Sequence, residues 1–578
     1  MKPIVGIIVS AIVFVAGGAF AIDTRTWTDA TGNHKWADKD NWDPKVAGSC
    51  YNVFPAGDWT VEIDSDTTYW FYSLVLEDGS GTVTLTGDSA AVLKPGTSAP
   101  IQVPAGRELK IDGPEFWIGG ADISKNGFIN GTLRLSSGRI LTGTGPYFGG
   151  DAKVIVEGGL LGPALDSSGR EYSATYTFTN NATLTVNGGL AKIYRGNYRS
   201  PDPPRASIVR VRMTGGTYWN CDPQYGSYIT QFGVGAHFVN NGGTLIWCST
   251  NDYARSNLSS EPYDADRSLF GQGDVFGELL PTFGSTLIIP TSSKNTTACA
   301  LTFAVNGDYR VDGTIYVTNN TDVAAGVVFF NSTNIALRGG ATIYANAIKV
   351  NSSKPITNDL DIARLNLGIG GFRRQGTSGS VQIINFLDGI IFGAWGGDVP
   401  PLFASSGTQK VHAYLNGPVV YDTQDCFEPT LSRTFNMDRL YLKEVTDLKA
   451  TGGGTVALYP LAKLAEEFRT IEVADNTTLA FCTNTLSGLK AMNLKLGANA
   501  TLKINLKNGD YVDAAATAEF GEGAKIVVTD VPASLTEGTL YPVYFAPAGT
   551  DPDLSKIEYA EGDWPTGWFL NKTATPSI

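Results

Sequence analysis

The chain has 578 residues, 42% hydrophobic and 11% aromatic, with 43 Lys and Arg against 56 Asp and Glu for a net charge of −13. That much apolar material excludes a disordered chain, and the acidic balance, with no basic patch evident, argues against nucleic acid as a partner. Only 17% of residues are charged while 67 are glycine, so Thr, Ser, Asn and Gly must cover the surface, the composition of a secreted β-rich protein.

From the N-terminus, Lys2 gives a short positive region, Ile4 to Ala16 an apolar one and Ala19-Phe20-Ala21 a small-x-small cleavage site. These are the parts of a secretory signal peptide over residues 1–21. Cleavage leaves a mature chain that starts at Ile22 and is secreted or held at a bacterial cell surface. No later segment reaches the roughly 18 apolar residues of a membrane span. Residues 22–80 read as an N-terminal cap. There TWTDATGNHKWADKDNW sets Trp27, Trp36 and Trp42 in a W-x8-W-x5-W array, and large rings suit covering the open end of a stacked core.

Between residues 81 and 452 a unit recurs: an alternating strand, a pair of small residues, then a second short strand. It reads LRLSSGRIL at Leu133–Leu141, VIVEGGLL at Val154–Leu161 and LTVNGGLAKIY at Leu184–Tyr194. It returns as VRMTGGTYWNC at Val211–Cys221, FVNNGGTLIWC at Phe238–Cys248 and IALRGGATIY at Ile335–Tyr344. Aligned on the second small residue, the copies fall at Gly138, Gly159, Gly189, Gly216, Gly243 and Gly340. Each glycine permits a corner at positive φ. Units this short bury no core alone and must stack. This predicts an all-β fold, a right-handed parallel β-helix with loop insertions.

Cys221 and Cys248 follow Thr217 and Thr244 at the same distance. They are therefore expected as neighbours on successive coils, about 4.8 Å apart and close enough for a disulfide. The insertions around residues 194–263 are rich in Tyr, Trp and Arg. Tyr198, Arg199, Trp219, Tyr225, Tyr228 and Tyr253 are the candidate contacts for a glycan or a protein partner. The competing reading is that these rings pin the insertions to the solenoid wall.

His34, His237 and His412 are far apart, and HExxH, GxSxG and a Walker loop are absent, so no metal or cofactor is implied. Carboxylate acid–base chemistry is the remaining enzymatic route, and Asp-x-Asp on a strand puts two carboxylates on one face. Asp359 and Asp361, with Arg364 nearby, have the most strand-like setting and are the weak catalytic candidates. Residues 453–578 form a β-rich C-terminal region with Asn/Asp/Gly turns, beginning at the soft boundary Gly452–Gly454. The N-x-S/T sequons at Asn130, Asn181, Asn476 and Asn499 fit such turns. LAKLAEEF, Leu461–Phe468, is the short helix candidate.

The Trp-rich start with the DWTVEIDSDTTYWFYSLVLEDGSGTVTLTGD that follows, and the later LKLGANATLKINL and GTLYPVYFAPAG, resemble a known group. It is that of secreted bacterial autotransporter-associated β-strand repeat or PEP-CTERM-type β-helix proteins, and the likeness covers roughly the first 90 and last 120 residues. It implies a parallel β-helix and an exported or surface role, with no single activity. Residues 551–578 depart from the type, showing neither the amphipathic strands of a translocating barrel nor an apolar sorting helix. The expected function is non-catalytic, a cell-surface structural element or adhesin contacting glycans or surface proteins. The alternative is a polysaccharide lyase or glycoside hydrolase on the same scaffold.

Overall fold

The structure is a computed structural model. It describes residues 23–46, 49–96, 101–118, 128–143, 145–165, 168–169, 171, 174–179, 181–193, 195–199, 209–220, 231–232, 236–247, 285–289, 300–303, 307–317, 326–330, 334–351, 356–375, 382–394, 411–425, 434–438, 440–459, 468–481, 488–532 and 540–572. The chain winds as a parallel β-solenoid with three faces per turn. The second face carries an unbroken parallel ladder. It starts at Thr68–Phe71 and Val92–Pro95, passes through Leu160–Pro163, Thr217–Asn220, Thr244–Trp247, Thr286–Ile289 and Thr314–Val317, and ends at Val512–Phe520. It crosses Gly452–Gly454 without interruption. Trp42–Asp43 against Thr24–Trp27 is the antiparallel exception among the paired named strands.

Period-2 alternation explains the core. On the second face Leu93, Phe116, Ile140, Leu161, Tyr218, Leu245, Leu287, Ile315, Ile343 and Leu365 occupy one column, and each is buried. Their immediate neighbours along each strand face outward. Five of those outward positions in consecutive turns are threonine, Thr217, Thr244, Thr286, Thr314 and Thr342, paired in register. β-branched side chains pack well on such a pleated, half-buried surface. Inside, rings repeat from turn to turn, as with Phe148 and Phe178, whose centroids are 4.7 Å apart.

The corners make glycine necessary. Gly138, Gly159, Gly189 and Gly216 have φ of +80°, +67°, +63° and +63°. They also stack with almost no space between them: a Cβ on Gly159 would lie 2.2 Å from the Gly138 carbonyl oxygen. The repeat read from the sequence is in register up to Thr244, since Thr217 pairs with Thr244. It then passes through two turns that lack its signature, where Ser285 and Gly313 precede the paired Thr286 and Thr314. At the last copy the ladder pairs Thr314 with Thr342, so Ala341 takes the corner-equivalent position and Gly340 lies one residue earlier. A register shift between Leu337 and Ala341 absorbs the difference.

At the N-terminal end Trp27, Trp36 and Trp42 are buried to 1–2% exposure. Trp42 meets the other two edge-on at 4.9 and 5.0 Å, and all three lie over Phe54. The Arg25 guanidinium sits 4.0 Å from the Trp42 ring centroid and donates to Asn52 Oδ1 at 2.7 Å. Burial pulls its pKa down to about 10. Arg107, also buried, donates to the carbonyls of Ser80 and Pro55, both at 2.8 Å, and so ties three successive turns together. At the far end the Ile557–Tyr559 strand and partly buried Tyr541, Tyr544, Trp564 and Trp568 pack on the last core residues. Turns at Asn476 and Asn499, both at φ +55°, stack on one another, with Asn499 Nδ2 donating to Asn476 Oδ1 at 3.2 Å. Of the proposed helix, only Phe468 lies among the described residues, where it opens the strand Phe468–Val473. Among the described residues no helix is long and apolar enough to cross a membrane.

Candidate functional site

The outward column next to the threonines carries the rings on which a ligand could stack. Most of those ring faces are already covered by the turn above or below. Lys94 Nζ lies 4.2 Å from the centroid of Trp117, and Lys192 Nζ lies 5.6 Å from that of Trp219. Tyr316 and Tyr344 stack at 4.4 Å with planes 7° apart, so this pair presents ring edges to solvent. Trp219, a contact candidate from the sequence, therefore works as a rung of the wall, half-buried between Lys192 and Ile246.

Trp70 differs because it stands at the end of the column. Its strand, Thr68–Phe71, opens the second-face ladder and pairs with Val92–Pro95. Among the described residues no strand pairs with its other edge. Trp70 is 53% exposed and borders a hollow of about 280 Å³ that Tyr69, Thr68, Ser49, Lys39 and Trp36 also line. One open indole face, hydroxyls from Ser49 and Thr68 and the exposed Lys39 ammonium make a combination suited to a single sugar ring. The volume sits just below the roughly 300–1,000 Å³ of drug-sized sites. Tyr69 is held by its hydroxyl, which donates to Asp64 Oδ2 at 2.9 Å, and burial is the main cause of its raised pKa. Nothing in TYWF marks Trp70 in the sequence, since its exposure depends on where the ladder begins.

The other sequence candidates fall in two groups. Tyr225, Tyr228, Tyr253, Cys221 and Cys248 lie outside the described residues, although the strands leading to both cysteines are in register, Asn220 opposite Trp247. Tyr198 and Arg199 lie on the strand Arg195–Arg199, paired with Phe178 and Thr179. Asp359 and Asp361 do share the outward side of one strand, but each has its own local partner. Asn385 Nδ2 donates to Asp359 Oδ1 at 2.8 Å, and the Gly339 amide donates to Asp361 Oδ2 at 3.0 Å. Arg364 points elsewhere, to Asn366 Oδ1 at 3.0 Å and Asp422 Oδ2 at 2.8 Å. Among the described residues no group of three or more His, Cys, Asp or Glu is placed to hold a metal ion.

One carboxyl, Asp510, is buried near the C-terminal end. It is 3% exposed, Oδ2 accepts the Asn505 amide at 3.1 Å, and Oδ1 has no partner. Burial pushes its pKa up to about 6. An acid whose folded pKa exceeds its unfolded one favours the folded state while protonated, so stability should fall as pH rises from about 4 to 6. The loss amounts to up to ~3 kcal/mol for a shift of this size. Urea midpoints at pH 4.5 and 7 for wild type and Asp510→Asn test this. The variant should lack that component of the pH dependence, and equal dependence in both proteins would assign it to other groups.

No family model, curated protein or solved structure matches the chain.

Proposed function

We propose that the protein is an exported, non-catalytic β-solenoid, a structural element or adhesin of a bacterial cell surface, that contacts glycans at the hollow beside Trp70. The observation that carries this reading is the open ring face of Trp70 at the end of a column in which most of the described ring faces are covered by neighbouring turns, set beside hydroxyls and a cation. The signal-peptide pattern and the likeness to autotransporter-associated and PEP-CTERM-type β-helix proteins support export. The solenoid supports an elongated scaffold role.

Affinity electrophoresis and a glycan array of the mature chain test the site. Trp70→Ala should weaken binding about tenfold, equivalent to ~1.4 kcal/mol, while Trp219→Ala leaves it within about twofold. Binding that survives Trp70→Ala would move the site elsewhere. Release of products from a polysaccharide, abolished by Asp361→Ala, would replace the non-catalytic reading with an enzymatic one.

A further inference from the structure

The hollow beside Trp70 is lined by two cations, Arg25 and Lys39, and by no acid, in a chain whose acids outnumber its bases 56 to 43. Lys39 is already matched, since its ammonium meets Asp40 Oδ1 at 3.2 Å. Arg25 is not. It is 4% exposed, and among the described residues no carboxylate forms an ion pair with it. Its Nε donates to Asn52 Oδ1 at 2.7 Å and its Nη1 to the Val46 carbonyl at 3.0 Å, both neutral acceptors. Nη2 makes no hydrogen bond among the described residues, and it is not a sealed orphan as Arg107 Nε is. Ala47 and Gly48, between Val46 and Ser49, bring no charge. Burial lowers the Arg25 pKa only to about 10, so the group stays a cation at neutral pH. A buried cation without a counter-ion is costly, and an anion that reaches it relieves that cost.

We propose that the sugar held at this hollow is a uronic acid, its carboxylate paired with Arg25 and its ring stacked on Trp70. The proposal rests on the hollow being a glycan contact, and it narrows the glycan to an acidic polysaccharide. A carboxylate is planar and matches the edge of a guanidinium. It also suits the space. A uronic acid carries its charge where a neutral sugar has a hydroxymethyl group, so the ring gains charge and almost no bulk. A sulfate ester sets its larger charged group outside the ring, in a hollow of only about 280 Å³. A neutral sugar would use Trp70 and the hydroxyls of Ser49 and Thr68 but leave the Arg25 charge uncompensated.

The test is binding of the full mature protein to polygalacturonate and alginate, each compared with its carboxyl-reduced form, and to dextran sulfate. Reduction puts a hydroxymethyl group in place of the carboxylate on the same backbone. Wild type should bind the acidic polymers about tenfold more tightly than the reduced ones, the worth of one charge-assisted contact. Arg25→Gln should erase that difference, and Arg25→Lys should keep part of it. Should Arg25→Gln fail to fold, Ser49→Asp replaces it, setting a carboxylate on the exposed rim of the hollow, and it too should erase the preference. Acid and reduced polymers bound equally by wild type, both weakened by Trp70→Ala, overturn the proposal and leave the glycan contact standing. A preference that persists in folded Arg25→Gln, or in Ser49→Asp where the former does not fold, also overturns it. Binding of neither form, or binding that Trp70→Ala leaves intact, overturns the glycan contact itself and the proposal with it. Dextran sulfate bound more tightly than both acidic polymers overturns the ligand class.

Discussion

Trp42→Ala should lower stability by about 3–5 kcal/mol, the usual range for removing a fully buried large ring. Trp42 is the centre of the terminal cluster, touching Trp27, Trp36 and Phe54. It also lies under the buried Arg25 guanidinium. Losing it removes packing and leaves that charge only the more distant Trp36 ring, 5.5 Å away. Because each turn of a solenoid contacts mainly its neighbours, the first turns should open before the rest. Hydrogen exchange should rise first over residues 24–63, and the urea midpoint should drop. Trp42→Phe should recover a large part of the loss. A midpoint equal to wild type, with protection unchanged over residues 24–63, would mean that the cluster does not close the core.

Gly159→Ala should be comparably damaging, at about 3 kcal/mol or more. Two effects combine there: an L-residue at φ +67° costs ~1–2 kcal/mol, and its Cβ would meet the Gly138 carbonyl oxygen at 2.2 Å. Gly453→Ala isolates the first effect, because Gly453 has φ +81° but nothing within 4 Å of the added Cβ. Thermal melts of the two variants should therefore differ, with Gly453→Ala near the strain cost alone. Equal losses would show that the stacked corner relaxes and that only dihedral strain matters.

The glycine corners were the most legible part of this fold. Their spacing gave the correct register for Thr217 and Thr244 because consecutive turns there have the same length and the same corner residue. The turns entered at Ser285 and Gly313 are hard to read in the sequence because their corners lack the small-residue pair that marks the others. The site was less legible. An outward ring is free or covered according to what stands one turn away, and that neighbour is some 20–30 residues off in sequence. Trp219 and Trp70 look alike in their strands, yet Lys192 lies over one ring face and the ladder's end leaves the other open. Asp359 and Asp361 were correctly placed on one side of a strand by period-2 reasoning, but Asn385 and Gly339, which engage them, come from other turns.

The Arg107 clamp bears on how the molecule would respond to mechanical load. A stack of parallel turns pulled from one end can peel, each turn detaching after only its own ladder breaks. Arg107 holds the Ser80 and Pro55 carbonyls from deeper in the stack, so tension applied to the N-terminal turns is shared with the turn that Arg107 belongs to. The first three turns then yield together at a higher force. For a rod anchored or gripped at that end, the clamp works as a rivet against unravelling.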